Sequence, residues 1–540
     1  MNILFILSAK LVSVDLRYRF GEIPSVMLPF DNNPILFTQY ERFSDYYDKI
    51  YVIVGERQEI VVDYVKNKNW DKLEVLVAKD YSSLQMTIMS TGQLEHIFNW
   101  KNVSILFGDT LVGQEDVSKC LNKNSILTST VQDSSRWTII KSKSIIDKKI
   151  VDFEPPYDAV CGFFNFTDYN MLINYLKDND FYNAISLLWK ERYDISFIES
   201  KEWIDLGHED NYLKVKKNKS RAFNHLQVDF QRGKILKKSN NKDKLINEIS
   251  WYLNIPNEVS YLSPRIFSYS LNKESPYVEM EYYSYDTLHE VYLFSNLTYI
   301  EWKHIYSTLF NRLSDLDKYM FNPGFEVINN SLCNMYFDKV VSRLSELRKS
   351  KEFNLLLSSP FFINGIKIDS IDSIMDIFKE TYILLRISEL SDFTVIHGDY
   401  FFANILYDLK NDIVRLVDPR GEFGVAGIYG DRRYDYAKLL HSVHGKYDLI
   451  VEDMYKLECK GNTYNYKIYA NENHLRAEKA LTDLFKEKKI DLLPIKFIES
   501  GLFLSMAVLH TENTDRQKVM LFQGIELLNN IIKEIKNDKR

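Results

Sequence analysis

The segment that most constrains the fold of this chain is FTVIHGDYFFANILYDLKNDIVRLVD, residues 393–418. A β-rich run leads into a His-Gly-Asp triplet that ends at Asp399, and Asn404 follows five residues later. A second apolar run, 413–417, then ends on Asp418. Two short strands that both run into polar side chains predict a functional site on the connecting loop. The alternative is an ordinary polar loop between two core strands.

The types and order of these polar residues indicate phosphoryl transfer. That reaction needs a carboxylate to accept the proton of the attacking hydroxyl, and oxygen ligands to hold Mg²⁺ on the nucleotide phosphates. Asp399 is the predicted catalytic base, and Asn404 and Asp418 are the predicted metal ligands. Protein kinases use the same order of base, amide ligand, strand and carboxylate ligand in their H-R-D…N and D-F-G segments.

Here HGD replaces HRD and DPR replaces DFG, and this variant resembles the aminoglycoside phosphotransferase and choline/ethanolamine kinase family. The resemblance implies a bilobal, protein-kinase-like α+β domain over about 216–540. Its N-lobe would span about 216–290 and its helical C-lobe about 291–540. It also implies ATP and Mg²⁺, and a small-molecule alcohol as the acceptor.

Upstream residues provide candidates for binding ATP. Lys237 lies in a short strand ending in lysines, and Glu248 lies in the helical run that follows. A kinase uses such a lysine on the phosphates and such a glutamate to hold the lysine in place. Lys238 is the alternative lysine, because adjacent strand residues face opposite sides. The backbone around Glu281 and Tyr282 resembles the interlobe hinge that contacts the nucleotide base.

The segment YGDRRYDYAKLL, residues 429–440, resembles the start of a helix that these kinases place after the metal-binding strand. We expect Asp435 to be structural, bracing the catalytic loop or its arginine. Asp431 is a candidate N-cap of the helix. Neither aspartate is predicted to be catalytic.

Length and composition limit the remaining possibilities. A chain of 540 residues is too long for one hydrophobic core and indicates two or three domains. The net charge of −7 and the lack of a concentrated basic block argue against a nucleic-acid partner. The four cysteines are scattered, which predicts reduced thiols and a cytoplasmic enzyme. We found no apolar run of about twenty residues, so we expect no membrane insertion.

The first two hundred residues alternate apolar strand-like runs with helical patterns. The runs MNILFIL, KIYVIVG, LEVLVA and VSILFGD have the character of buried parallel strands. Residues 34–46 and 84–100 have helical periodicity. This pattern predicts a doubly wound, Rossmann-like α/β sheet with ligands beyond the carboxyl ends of its strands.

The details of this region resemble the nucleotidyltransferases that activate sugar 1-phosphates or phosphocholine. The resemblance rests on RFGEIPSVMLP (19–29), NPIL (33–36), SSLQMT (82–87), ILFGD (105–109), CGFFNF (161–166) and WIDLG (203–207). It implies that Arg19 and Gln85 contact the nucleotide and that Asp109 and Asp205 bind Mg²⁺. It further implies a nucleotidyltransferase domain over about 1–215, with CTP as the expected nucleotide by analogy with phosphocholine enzymes.

Two features depart from that family. The Gly-rich phosphate loop is replaced by SAKLVSVDLRY, which lacks the glycines that let backbone amides approach phosphate. Ser25 occupies the position of a conserved-motif lysine. Four cations are candidates to substitute for it: Lys10, Arg17, Arg19 and Lys79.

Together the two regions predict a bifunctional enzyme. It would phosphorylate a small alcohol with ATP and then make a CDP-linked product for transfer onto a surface glycan or similar polymer. The alcohol stays open. Choline would want an aromatic cage, which Tyr282, Tyr283, Tyr285 and Trp302 do not establish. A hydroxy-amino acid such as threonine or serine would require an arginine for its carboxylate, for which Arg420 or Arg432 could serve. Ethanolamine, glycerol or a sugar would require mostly acidic or amide partners.

Three alternatives remain at this point. Only the kinase is active and the N-terminal region is a degenerate, regulatory or binding module. In the second alternative, both regions are inactive remnants in a scaffold; the intact set of HGD, Asn404 and Asp418 disfavours it. Finally, the chain is a protein kinase, which the HGD form and the absence of an A-P-E segment disfavour.

Overall fold

The computed structural model describes the chain except for residues 32, 69, 95–99, 149–150, 152, 192–193, 218–224, 391 and 539–540. The chain divides into two compact units. The N-terminal unit comprises Met1–Asn218 with Phe294–Asn296, and the C-terminal unit comprises Lys219–Leu293 with Leu297–Arg540. The sequence NYLKVKKNKSR, residues 211–221, predicts a polar and basic join between the two regions, and residues 218–221 of it lie outside the described residues.

The N-terminal unit alternates strands and helices along most of its length. Its strands are β1 Asn2–Ser8, β2 Pro29–Phe30, β3 Asn33–Pro34, β4 Lys49–Val54, β5 Leu73–Val77, β6 Asn102–Phe107, β7 Thr110–Leu111, β8 Ser125–Val131, β9 Ile139–Lys141, β10 Ser144–Ile146, β11 Tyr157–Phe166, β12 Ser196–Glu199 and β13 Ile204–Asp205. Its helices are α1 Val14–Phe20, α2 Ile35–Phe43, α3 Gln58–Lys68, α4 Leu84–Met89, α5 Gln114–Cys120, α6 Tyr169–Leu176, α7 Phe181–Lys190 and α8 Glu209–Lys217.

The central sheet of this unit is parallel where the sequence predicts it. The order is β6-β1-β4-β5, and all three pairings are parallel. The antiparallel strand β11 extends the sheet beyond β6 towards β9 and β10. Alternate residues of β1 enter different apolar clusters, Leu4 and Ile6 on one face and Phe5 and Leu7 on the other. Both faces are therefore buried, which explains the continuous apolar runs.

The C-terminal unit is a small sheet followed mainly by helices. Its strands are β14 His225–Asp229, β15 Lys234–Lys238, β16 Ile266–Ser270, β17 Tyr277–Glu281, β18 Asp286–Thr287, β19 Met320–Phe321, β20 Phe361–Ile363, β21 Ile366–Ile368, β22 Phe393–Val395, β23 Ile405–Asp408, β24 Ile413–Leu416, β25 Glu422–Phe423, β26 Val425–Ala426, β27 Tyr429–Gly430, β28 Tyr455–Lys460 and β29 Thr463–Ile468. Its helices are α9 Lys242–Asn254, α10 Leu288–Phe294, α11 Tyr299–Leu316, α12 Phe325–Cys333, α13 Lys339–Leu347, α14 Lys351–Ser358, α15 Ile371–Leu384, α16 Arg432–Val443, α17 Tyr447–Val451, α18 Glu472–Glu487, α19 Leu492–Met506 and α20 Thr514–Asp538.

The first sheet of this unit is antiparallel, in the order β14-β15-β17-β16. Helix α9 packs on it through Leu245 and Ile249, which join Val278 and Met280 of β17 in one apolar cluster. Asn241 caps the helix by accepting a hydrogen bond from the Lys244 amide, which fixes where α9 begins. The packing holds α9 against the lysine-bearing strand β15.

The His-Gly-Asp segment follows β22 and leads through a short 3₁₀ turn, Phe402–Asn404, into the β23–β24 hairpin. Gly398 has φ 76°, and a Cβ there would lie 2.8 Å from Cβ of Arg420. Only glycine fits this turn without displacing that arginine. The β23–β24 hairpin reverses the direction of the chain, so Asp418 lies close to the loop that carries Asp399.

One expectation about the C-terminal region is wrong in part. A helical C-lobe was expected over about 291–540, with long helical patterns across 290–395 and 435–540 such as FDKVVSRLSELRKS and GIELLNNIIKEIKN, but a four-stranded sheet of order β21-β20-β29-β28 lies within those ranges. Asn364 and Gly365 both have positive φ between β20 and β21, and Gly461, with φ 62°, turns β28 into β29. Such two-residue turns match the twist of antiparallel strands.

Among the described residues, one helical stretch, Leu492–Leu509, is long and apolar enough to cross a membrane by length and composition. Most of it is buried within the unit, 61% of the stretch. Its helix α19 packs against α20, α16 and α13. A helix that is apolar on all sides and enclosed by other helices is typical of the core of a large unit.

Candidate active sites

The Asp399 carboxylate lies at the turn after β22 and is held by a lysine that the sequence analysis missed. Lys438 Nζ contacts Asp399 Oδ1 at 2.8 Å, and both side chains are largely buried. Burial by itself would raise the pKa of Asp399. The charge of Lys438, with Lys244 and Arg420 nearby, outweighs burial and holds that pKa well below its usual range. Asp399 is therefore ionised at neutral pH.

Lys438 could have been found in the sequence. It lies three residues after Asp435 on α16, so both side chains lie on one face of the helix. Asp435 accepts hydrogen bonds from the backbone N–H groups of His397 at 2.7 Å and Gly398 at 2.8 Å. Asp435 thus braces the loop that carries Asp399, and Asp431 caps α16 by accepting from the Arg433 amide.

Asn404 points its amide nitrogen at the same aspartate. Nδ2 donates to the Asp399 carbonyl at 3.0 Å and to Asp399 Oδ2 at 3.3 Å. Because the nitrogen is engaged, the amide oxygen is the atom left to face a cation. The predicted base and the predicted amide ligand are therefore neighbours in the structure.

The buried side chains of Lys237 and Glu248 meet the half-exposed Asp418 in one ion group. Lys237 Nζ lies 2.9 and 2.7 Å from the two Glu248 carboxylate oxygens and 2.7 Å from Asp418 Oδ1. The Lys237 side chain is 4% exposed, whereas Lys238 is exposed to solvent. Burial, with the charge of Asp418, raises the pKa of Glu248 to about 7. The structure thus selects Lys237 as the partner of Glu248.

Helix α9 contacts both the ion group that includes Asp418 and the strand end that leads into the loop carrying Asp399. Trp251 Nε1 donates to the Ile396 carbonyl at 2.7 Å, and the Tyr252 hydroxyl accepts from the Asp418 amide at 3.0 Å. Asp418 has φ 57°, a left-handed conformation that few non-glycine residues adopt. A strained carboxylate held by a dedicated contact is common at functional sites.

At the predicted hinge, the backbone N–H groups of Glu281 and Tyr282 both have partners within the C-terminal unit. The Glu281 amide donates to the Arg265 carbonyl and the Tyr282 amide to the Gly233 carbonyl, both at 2.8 Å. Both N–H groups are used within the sheet. A nucleotide base would therefore meet carbonyl oxygens here, or backbone from Tyr283 onwards.

A cavity of about 430 Å³ opens beside Asp399 in the C-terminal unit. Its lining comes from α9, α13, the loop after β22, the segment 420–422 after β24, α16, α17 and the end of α19. The residues are Asn241, Asp243, Lys244, Asn247, Lys339, Arg343, Asp399, Phe401, Arg420, Glu422, Tyr434, Lys438, Tyr447, Leu502, Ser505, Met506 and Leu509. Arg420, a predicted carboxylate contact, lines the cavity, and Arg432 does not.

In the N-terminal unit the two predicted metal aspartates are brought together. Asp109 follows β6, and Asp205 ends β13, whose partner strand is β7. The Leu206 amide donates to the Asp109 carbonyl at 2.9 Å. A Cβ on Gly207 would lie 2.5 Å from Asp109 Oδ2, so this close approach requires glycine.

The electrostatics of this pair favour a bound cation. Burial, with the charge of Asp109, raises the pKa of Asp205 to about 7, and burial also raises the pKa of Asp109. Among the described residues, neither carboxylate has a salt-bridge partner. Lys148 and His208 lie near enough to influence the pair, and the sequence analysis missed both. Among the described residues, no group of three or more His, Cys, Asp or Glu side chains is arranged so that it could hold a metal ion.

The other predicted nucleotide contacts are engaged elsewhere in the unit. Arg19 Nε pairs with Glu209 at 3.0 Å, and the Gln85 amide donates to the Leu176 carbonyl. Ser25 Oγ lies 3.2 Å from Ser8 Oγ, beside the end of β1. Lys10 is exposed, and its ammonium donates to the Ser82 carbonyl at 3.3 Å. Of the four candidate substitute cations, Arg17 also binds backbone, at the Val12 carbonyl.

A larger cavity of about 810 Å³ in this unit contains none of the predicted site residues. Its acidic residues outnumber its basic ones, with Asp31, Glu41, Glu115, Asp116 and Glu202 against Arg42 and Lys201. An acidic lining opposes a polyanionic nucleotide, so we assign this cavity no role in nucleotide binding.

No protein-family model and no curated protein matches the chain. HddC from Yersinia pseudotuberculosis is similar to the N-terminal 40% of this chain, with 17% identity, 98% of HddC covered and a TM-score of 0.32. LicC, the CTP:phosphocholine cytidylyltransferase from Streptococcus pneumoniae, is similar over 40% of this chain, with 14% identity, 97% of LicC covered and a TM-score of 0.32. Likenesses at these scores assign neither fold nor function.

Proposed function

We propose that the C-terminal unit phosphorylates a small alcohol with ATP. The single observation that carries this proposal is the convergence of two groups built from distant segments. Asp399, Asn404 and Lys438 form one, and Lys237, Glu248 and Asp418 form the other. A buried lysine-glutamate pair beside an ionised aspartate and an amide oxygen matches the needs of phosphoryl transfer.

In this proposal Asp399 orients the acceptor hydroxyl and receives its proton. A carboxylate with a depressed pKa is a weak base, so it suits a reaction in which the proton moves late, as the phosphorus–oxygen bond forms. Lys438 is a positioning residue that keeps Asp399 ionised and fixed. Lys237, freed in part from Asp418, would contact the nucleotide phosphates while Glu248 retains it.

Asn404 and Asp418 fit Mg²⁺ because both present oxygen atoms, the ligands that this ion prefers. The amide nitrogen of Asn404 is committed to Asp399, which leaves its oxygen for the ion. When bound, Mg²⁺ would neutralise phosphate charge that develops during transfer. We place no other described residue in this set.

We further propose that the N-terminal unit transfers a nucleotidyl group, with CTP as the expected donor, to the phosphomonoester made by the C-terminal unit. Asp109 and Asp205 support this because, among the described residues, these two half-buried carboxylates have no salt-bridge partner and so fit a divalent cation. Covalent linkage of the two units raises the effective concentration of the intermediate. The product would be an NDP-linked alcohol for polymer assembly.

A kinase with an N-terminal binding or regulatory module is the second candidate. The engagement of Arg19 by Glu209 and of Gln85 by Leu176 favours it, because these side chains are not directed at a nucleotide. So does the absence of a Gly-rich loop after β1.

Pyrophosphate release decides between the two candidates. The full chain would be incubated with Mg²⁺, ATP, CTP and a panel of alcohols, and the products would be weighed by mass spectrometry. An NDP-linked product that needs both nucleotides supports the bifunctional enzyme. A phosphomonoester with no pyrophosphate, also when GTP, UTP or dTTP replaces CTP, supports the kinase with a binding module.

A further inference from the structure

The cavity beside Asp399 carries more positive than negative charge. Five basic side chains line it against three acidic ones. The basic residues are Lys244, Lys339, Arg343, Arg420 and Lys438, and the acidic residues are Asp243, Asp399 and Glu422. Lys438 is used on Asp399 and Arg420 pairs with Glu422 at 3.2 Å. The excess therefore lies with the remaining three cations.

Two of those three, Lys339 and Arg343, come from the same helix and face the cavity together. They lie four residues apart on α13, which places them on one helix face. Among the described residues, neither has a carboxylate within salt-bridge distance. Arg343 donates one hydrogen bond, to the Ser505 carbonyl at 3.0 Å. Lys339 directly follows a π-helical turn, Asn334–Asp338, a distortion that is frequent at functional sites.

The positive charges at and around Lys339 and Arg343 repel one another when no anion is bound. Burial, with Arg420 and Arg343 nearby, lowers the pKa of Lys339 to about 8. Burial would raise the pKa of the Tyr434 phenol, but Lys339, Arg420 and Lys438 outweigh it and lower that pKa to about 8. An anion bound in the cavity would relieve the repulsion.

The same cavity is unsuited to a cationic alcohol. A quaternary or primary ammonium group would need open aromatic faces or free carboxylates. Lys438 Nζ already lies 5.5 Å from the Phe401 ring centre and 6.0 Å from that of Tyr434. Tyr283, Tyr285 and Trp302 do not line the cavity.

We propose that the alcohol phosphorylated by the C-terminal unit carries its own anionic group, a carboxylate or a phosphate, which Lys339 and Arg343 bind while the hydroxyl faces Asp399. This inference rests on the proposed kinase function. In the reaction the alcohol oxygen bonds to the γ-phosphorus of ATP, the bond from that phosphorus to the ADP oxygen breaks, and the hydroxyl proton passes to Asp399. Lys339 and Arg343 take no part in bond making.

Matched pairs of acceptors test the proposal in the full-length chain. Glycerate is compared with glycerol, serine with ethanolamine and with serinol, and sn-glycerol 3-phosphate with glycerol. The carboxylate and phosphate members distinguish the two sources of the anion. Formation of ADP and of the phosphorylated product is followed for wild type, Lys339→Gln and Arg343→Gln. Arg348→Gln is the control, because Arg348 ends the same helix in an exposed pair with Asp372.

The proposal predicts that an anionic member of a pair has a kcat/KM at least tenfold above its neutral or cationic partner. Lys339→Gln and Arg343→Gln should each raise the KM for that acceptor about tenfold to a hundredfold, the loss expected for a charged hydrogen bond. The KM for ATP should be unchanged in both of these variants. In Arg348→Gln, the KM values for the acceptor and for ATP should both equal those of wild type.

Three results would overturn it. A preference for ethanolamine, glycerol or serinol would show that the acceptor needs no anionic group, and the proposed kinase function would still stand. A raised KM for ATP in the Lys339 and Arg343 variants, with the acceptor KM unchanged, would assign these cations to the nucleotide. Phosphorylation of no acceptor by wild type would overturn this inference and the proposed kinase function together.

Discussion

At the residue scale, the C-terminal site depends on which of two adjacent lysines faces the buried Glu248 carboxylate. Lys237 and Lys238 are adjacent in β15, yet only Lys237 is buried against Glu248 and Asp418. Alternation along a strand explains the difference, because neighbouring side chains point to opposite faces. The sequence alone could not decide between them, since the register of the strand depends on its pairing with β17.

Lys237→Met should raise the KM for ATP or lower kcat, reducing kcat/KM for ATP about a hundredfold or more. The substitution removes the only cation of the buried group and leaves two carboxylates facing each other. Lys238→Met, one residue away on the exposed face, is the matched control and should behave as wild type. Steady-state kinetics at varied ATP would measure both. Equal loss in the two variants would mean that neither lysine has a specific role.

Lys438→Met should impair catalysis by acting on Asp399. Without the ammonium at 2.8 Å, the pKa of Asp399 should rise, because burial then acts with less opposition. A base is active when ionised, so the acid limb of the kcat/KM profile should move to higher pH, and kcat at pH 7 should fall about tenfold or more. Lys446→Met, which breaks a pair with Glu478 on a neighbouring helix, serves as control. An unmoved acid limb would contradict the assigned role.

At the element scale, α9 shows which features of a helix its sequence predicts and which it does not. The helical run was expected from the sequence, and Glu248 was expected to hold the strand lysine in place. The contacts of Trp251 with Ile396 and of Tyr252 with Asp418 were not expected. They join residues more than a hundred positions apart in sequence, so only the tertiary fold reveals them.

The β20–β21 hairpin shows the opposite case, in which a local signal was present and missed. The stretch FFINGIKI contains Asn364-Gly365 between two apolar runs, the strongest short-range signal for a two-residue hairpin. Long helical patterns on both sides made helix the expected state. Both turn residues adopt positive φ, which asparagine and glycine tolerate best.

Helix α10 is tied to α17 by a buried histidine, and this tie should depend on pH. Burial lowers the pKa of His289, but the carboxylates of Asp448 and Glu452 outweigh it and raise the pKa to about 10. Since a histidine in an unfolded chain titrates near about 6.5, the stabilisation is complete below that pH and is lost as pH rises through about 10. Chemical denaturation of wild type and His289→Gln between pH 6 and 10 measures this. The stability difference between the two should shrink as pH rises; parallel curves would contradict the charged pair.

At the scale of the whole molecule, each compact unit has its own proposed reaction. The parallel sheet of the N-terminal unit could be predicted because buried strands read as continuous apolar runs. The neighbouring positions of Asp109 and Asp205 were expected only through a family resemblance. Lys148 and His208 carry no sequence signal that links them to those aspartates.

Asp109→Asn should abolish formation of an NDP-linked product and leave phosphorylation of the alcohol unchanged. The substitution removes one negative charge from the proposed cation site while keeping the side-chain volume. Asp158→Asn, an exposed change on β11 of the same unit, is the control and should retain both reactions. Simultaneous assays of pyrophosphate and ADP would show the separation. Loss of ADP formation in Asp109→Asn would contradict the division of labour.

The central claim is that Asp399 directs transfer of phosphate from ATP to a small alcohol. Mass spectrometry of acceptors incubated with Mg²⁺, ATP and either wild type, Asp399→Asn or Asp408→Asn tests it most directly. Asp408 is the last residue of β23 in the adjacent hairpin, where it accepts a hydrogen bond from the Lys410 amide, and it serves as the matched control. We expect a phosphomonoester from wild type and Asp408→Asn, and a yield lower by at least about a hundredfold from Asp399→Asn. Equal product from all three proteins, or product from none, would contradict the account.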